Sequence, residues 1–348
     1  MAFIISNKFN KILLSIALIV LFGNCKKSEQ KDEPKNELPK KAFVSTFVGN
    51  SNDTSVDGVG SSAGFYHVGA LSFDATGNLY AIDGQYRIRK ITPDGMVSTF
   101  YNKLDLSYFF NDLFLDGAGS IYVSTFDGLI GKITQSGTVS LVAGGPRTNG
   151  DGIGGAAGFN LPYCMATDGA GNIYVTERAG KLIRKITPER LVTTIAGNGK
   201  IASIDGVAKA ASFSEPFGIC IDSKGNLFVT DINSVRKITP TGVVTTFAGD
   251  VQPGSVDGTG DTARFKSLGG IVIDGSDNLY VADSGNYLIR RITPNGVVTT
   301  VAGTAGISGH ADGAGNVAKF NFASRLAIDA KGNLYVNDAT YIRKIEFK

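Results

Sequence analysis

Few side chains in this 348-residue chain are equipped for catalysis. His67 and His310 are its two histidines, Cys25, Cys164 and Cys220 its three cysteines, and tryptophan is absent. No Ser/His/Asp triad, Cys/His pair, paired-carboxylate signature or phosphate-cradling glycine loop stands out. Cys164 and Cys220 sit in apolar strand-like runs without metal-ligand spacing, which predicts buried free thiols. What recurs is an aspartate. It opens "DGVGSSAGF" (57–65), "DGIGGAAGF" (151–159), "DGVAKAASF" (205–213), "DGTGDTARF" (257–265) and "DGAGNVAKF" (312–320). Two readings fit: five aspartates ringing one face to bind a cation or ligand, or Asp-Gly turns whose Ala and Phe plug a seam. A calcium site gathers several carboxylates. Most of these loops fix one, which favours the structural reading.

The elements that must hold these loops repeat. Each loop Phe precedes by nine residues an Asp that closes an apolar run: Phe65/Asp74, Phe159/Asp168, Phe213/Asp222, Phe265/Asp274 and Phe320/Asp329. The residue after the following turn recurs at Leu79, Ile121, Ile173, Leu227, Leu279 and Leu334, in steps of 42, 52, 54, 52 and 55. Each period holds four β-branched or aromatic runs separated by Gly, Asn, Asp and Pro turns, a propeller signal. The 45 glycines and the scarcity of long apolar helical patterns agree with short strands.

The last unit, "GNLYVNDATYIRKIEFK", stops without the "V-S/T-T" strand that follows the others. That strand starts near Val44, Val97, Val139, Val192, Val244 and Val298, and the first of these precedes any other unit. The chain is therefore expected to be an all-β, six-bladed β-propeller in which an N-terminal strand closes the last blade and removes a bare sheet edge.

"GNLYVADSGNYLIRRITPNGVVTTVAG" resembles the NHL repeat of six-bladed propellers, and the likeness extends over 42–348. The resemblance implies the fold strongly and the function weakly. It also points to enzymes. One NHL-like lyase uses a histidine-bound zinc, hard to build from two histidines at unmatched repeat positions. Other six-bladed lactonases and lyases use calcium held by Glu, Asn and Asp at the channel mouth, an opening that Glu215 and Asn111 leave.

The second unit breaks the pattern. It lacks the Asp-Gly loop, has Thr125 where the others have Asp83, Glu177, Asp231, Asp283 or Asp338, and has Gly131 where they have Arg89, Arg184, Arg236, Arg290 or Arg343. Loop, carboxylate and arginine vanish together, which predicts one local network: partly buried ion pairs under the loop. The same unit concentrates Tyr101, Tyr108, Phe109 and Phe110, a partner or glycan contact if exposed, filler for the missing loop if not. Strand connectivity places His67, Asn111, Tyr163, Glu215, Phe217 and Arg325 near the central channel, on the face with the longer loops.

Residues 1–24 read as a signal segment, with Lys8 and Lys11 ahead of "ILLSIALIVLFG". "LFGNC" resembles a relaxed bacterial lipobox, with Asn24 where a smaller residue is usual. The resemblance implies cleavage before Cys25 and lipidation of its thiol. Residues 25–41 carry six Lys, four acids and two Pro, a disordered tether. These features predict a monomer on the bacterial envelope, attached to the outer membrane by lipid and facing the periplasm or the exterior. The near-neutral mature chain argues against nucleic acid. A binding or scaffold role toward a protein or glycan, without a cofactor, is the expected function. A calcium-dependent lactonase- or lyase-like enzyme is the alternative.

Overall fold

The computed structural model describes residues 41–102, 109–145 and 148–348. The signal segment, Cys25 with its tether up to residue 40, and Tyr108 lie outside the described residues. The remainder forms six antiparallel sheets in a ring, the expected six-bladed propeller.

The fifth blade shows how the sequence builds each sheet. Strands Leu268–Ile273, Leu279–Asp283, Leu288–Ile292 and Val297–Ala302 run from the channel outward, and Gly258–Thr259 adds a short outermost pair. The second strand, "LYVAD", is buried at every residue because neighbouring blades cover both its faces. Asp274 makes the first turn, its Oδ1 accepting the amides of Ser276 and Asn278 at 2.9 Å each. The Pro-Asn-Gly turn needs the positive φ of Gly296, at +79°.

The N-terminal strand Ala42–Gly49 pairs with Tyr341–Phe347 and completes the sixth blade, as expected. Pairing begins one residue earlier, since Lys41 and Lys348 exchange backbone hydrogen bonds of 2.8 and 3.0 Å. Val44 packs into the cluster between blades five and six, and Val48 into the one between blades six and one. The strand thus closes the sheet and fills two seams.

The recurring arginine network is as the second unit's losses imply, and deeper. The side chains of Arg89, Arg184, Arg236, Arg290 and Arg343 are completely buried, not partly. Arg290 donates through one terminal nitrogen to Asp283 Oδ2 at 2.8 Å and through the other to Asp257 Oδ1 at 2.7 Å, its carbon 5.1 Å from the Phe265 ring centre. Asp257 also accepts from the amide and hydroxyl of Thr300, at 3.1 and 3.0 Å. A bulge in the pairing next to Arg290 frees that amide. The five Asp-Gly aspartates therefore hold arginines from outside, and the five phenylalanines sit beneath them, fully buried. This is the structural reading of the loops.

The inner carboxylate has a second task. Asp83 Oδ1 accepts the amide of Tyr66 at 2.8 Å, Asp231 Oδ1 that of Glu215 at 2.6 Å, and Asp338 Oδ1 those of Asn321 and Phe322 at 2.6 and 2.9 Å. Each of these amides directly follows the plug or lies within two residues of it, in the segment that enters the channel mouth. The buried network fixes where the mouth residues stand.

Candidate functional site

The strands nearest the axis bring six positions to one level at the mouth: Gly69, Asn111, Tyr163, Phe217, Gly269 and Ser324. One residue further in lie Ala70, Asp112, Cys164, Gly218, Gly270 and Arg325. Aromatic rings fill one side of the upper ring. Glycine and serine occupy the other and leave a cavity of about 420 Å³, to which all six blades contribute. His67, Phe110, Asn111, Tyr163, Glu215, Phe217 and Arg325 all line it.

Tyr163 and Phe217 meet edge to face, ring centres 4.6 Å apart. Neither offers a bare platform. The Arg325 guanidinium lies 4.7 and 4.4 Å from their centres, and that of Arg178 5.3 and 5.7 Å. Arg178 also donates through Nε to Glu215 Oε1 at 2.6 Å. Arg325 donates to the Cys164 sulfur and, at 3.0 Å, to the Asn111 carbonyl, and so crosses the channel. Beneath it a second, more apolar cavity contains Asp112, whose carboxylate accepts the Met165 amide at 2.8 Å.

Hydrogen bonds between blades hold the mouth rigid. Ser124, Thr176 and Thr230 donate to the carbonyls of Tyr163, Phe217 and Gly269 at 2.6, 2.7 and 2.7 Å. Asn337 bridges the first and last blades, donating to Val68 O at 2.9 Å and accepting the Arg325 amide at 2.7 Å. The first blade has Ile82 at the corresponding position and cannot make this bond to Asn111. Arg325 makes it from across the ring.

Burial sets the electrostatics. It pushes the Asp112 carboxyl up to about 6, against the pull of Arg325 and the Met165 amide. It pushes the Cys164 thiol up to about 12, which makes this free thiol unreactive. It holds His67 below its ordinary value, against Asp83 and Asp53.

The aromatic group of the second unit does not act as one surface. Tyr101 is a correction: it is 4% exposed and packs with Phe110 in the core between the first two blades. Tyr101 and Gly131, which stands where other blades carry arginine, line one cavity of about 510 Å³. Phe110 is buried yet reaches the cavity wall, and Phe109 is exposed outside it. Sequence reasoning missed Arg178, Gln85, Ser284 and Phe322, although Phe322 stands two residues after its loop Phe as His67 and Glu215 do, and Arg178 and Ser284 each directly follow the strand-two carboxylate. Phe322 is half exposed and tilted toward His67 at 5.9 Å, so it is the accessible ring at the mouth.

A calcium cage needs six to eight oxygens. Glu215 is tied to Arg178, and the Asn111 amide nitrogen donates to Pro162 O at 2.9 Å. Among the described residues no group of three His, Cys, Asp or Glu side chains could hold a metal ion. The mouth residues do not fit that ion.

No family model matches the chain. NHL repeat-containing protein 2 from Bos taurus is 35% identical over 144 residues, 37% of this chain and 20% of the relative. The chain spans no more than a fifth of the curated relatives it matches. Among solved structures, an auxiliary nutrient binding protein from Bacteroides thetaiotaomicron superposes with a TM-score of 0.69 at 20% identity, covering 88% of this chain and 77% of that one. A virginiamycin B lyase from Staphylococcus aureus gives 0.58 at 15% identity, covering 88% and 100%. The repeats are NHL-like and the fold is that of a six-bladed propeller.

Proposed function

We propose that this chain is a non-enzymatic binding module of the bacterial cell envelope, held at a membrane by lipid on Cys25, whose channel-mouth cavity receives a glycan unit. The observation that carries the reading is the cavity itself. Its size suits a small ligand, it is preformed, and it mixes an exposed ring at Phe322 with polar groups from every blade. The nutrient binding protein of the same fold supports binding. The lyase keeps an enzyme as the second reading, with Glu215 and Asn111 at the mouth as its observation. The engagement of Glu215 by Arg178 weighs against it.

Calorimetric titration of the detergent-solubilised full chain with neutral and acidic monosaccharides tests the binding. One saturable site, weakened in Phe322→Ala without loss of melting temperature, is expected. No saturable heat from any saccharide would count against the glycan. The anchor is tested separately: Cys25→Ser protein leaves the membrane fraction on this reading, and its unchanged partition would contradict lipidation.

A further inference from the structure

Arg325 stands apart from the other buried arginines. Arg89, Arg184, Arg236, Arg290 and Arg343 each reach two carboxylates. Arg325 is 7% exposed and has no ion pair among the described residues. A buried guanidinium without a directly paired counter-charge is costly. Its structural ties explain part of its presence: one terminal nitrogen takes the place of the bond Ile82 cannot make, and the other reaches a neutral thiol. They supply no negative charge. Asp112 acts on it only through space and accepts its one hydrogen bond from Met165.

The guanidinium lines the floor of the mouth cavity. Arg178 borders the same cavity, on the same aromatic pair, and its charge is balanced by Glu215. Ser284 also lines the cavity, and its hydroxyl is buried without a hydrogen-bond partner. Cation and rim cation border one polar space, and Ser284 lies in its wall.

We infer that the cavity is an anion site: its ligand is a small polyhydroxylated carboxylate whose carboxyl group meets Arg325. This rests on the binding reading above and narrows it from saccharides in general to acidic ones. The carboxylate supplies a counter-charge in direct contact, where Asp112 acts only through space, and charge-assisted hydrogen bonds to a guanidinium are the strong ones. The hydroxyls face Gln85, which lines the same cavity.

The test is isothermal titration of the full chain at pH 7 with D-glucuronate and with its methyl ester, which keeps the ring and removes the charge. Glucuronate is expected to bind about tenfold or more tightly than the ester. Arg325→Gln lowers glucuronate to the level of the ester. Because that variant can fail to fold, Glu215→Gln is the second arm. Glu215 is partly exposed, and its loss removes the negative charge at the mouth. Glucuronate affinity then rises several-fold while the ester is unchanged. Equal binding of acid and ester, or a Glu215→Gln response shared by both, overturns the anion site and leaves the saccharide reading standing. Binding of neither overturns the anion site, and the panel of neutral and acidic monosaccharides then decides the saccharide reading.

Discussion

Asp112 and Arg325 share one level of the channel without touching, and the carboxylate carries a measurable cost. Its folded-state value of about 6 lies above the ordinary 3.8. The folded protein therefore holds this proton more tightly than the unfolded chain does. No stability is lost below the ordinary value, the loss builds from there to about pH 6, and it is complete above. Asp112→Asn keeps an acceptor for the Met165 amide and removes the titration. Relative to wild type, the variant should gain on the order of 2–3 kcal/mol between pH 4 and pH 7. Chemical denaturation at both values checks this, and a difference independent of pH would contradict it. The importance of position 325 was partly legible. Its place in the repeat sends it to the channel, but its bonds reach residues 161 and 214 positions away, which no local pattern encodes.

Among the elements, the Arg–Asp–Phe unit recurs in five of the six blades. It was legible because one blade lacks all of it at once, so co-loss reported contact. The depth of its burial was not legible, since a lone Arg in a strand is as easily solvated as enclosed. Removing the cation leaves two carboxylates, one of them fully buried. Arg290→Met should cost about 3–5 kcal/mol, and Arg290→Lys should restore little because an ammonium cannot span both acids. Urea midpoints decide this, and a loss below about 1 kcal/mol, the size of a surface pair, would refute it. Arg178, Ser284 and Phe322 stayed hidden for the opposite reason. They occupy matching loop positions whose residue types differ from unit to unit, so the repeat marks the place and not the side chain.

At the scale of the molecule, closure by Ala42–Gly49 was the most legible feature, because counting inner and outer strands settles which piece is missing. Its energetic weight follows from Val44 and Val48, both fully buried. Each contributes about 1.5–3 kcal/mol, so deleting residues 42–50 should sharply lower the melting temperature; an unchanged value would refute the clasp. The ring matters to function because it holds six inner strands still around one cavity. Ligand entry at that mouth is the central claim, and the absence of tryptophan permits a direct test. Phe322→Trp places a single indole at the cavity, and Phe100→Trp places one on an outer strand away from it. Titrated with hexoses and hexuronates, the first reporter should show a saturable change in emission and the second none. Silence of the Phe322→Trp reporter, or equal responses from both, would contradict binding at the channel mouth.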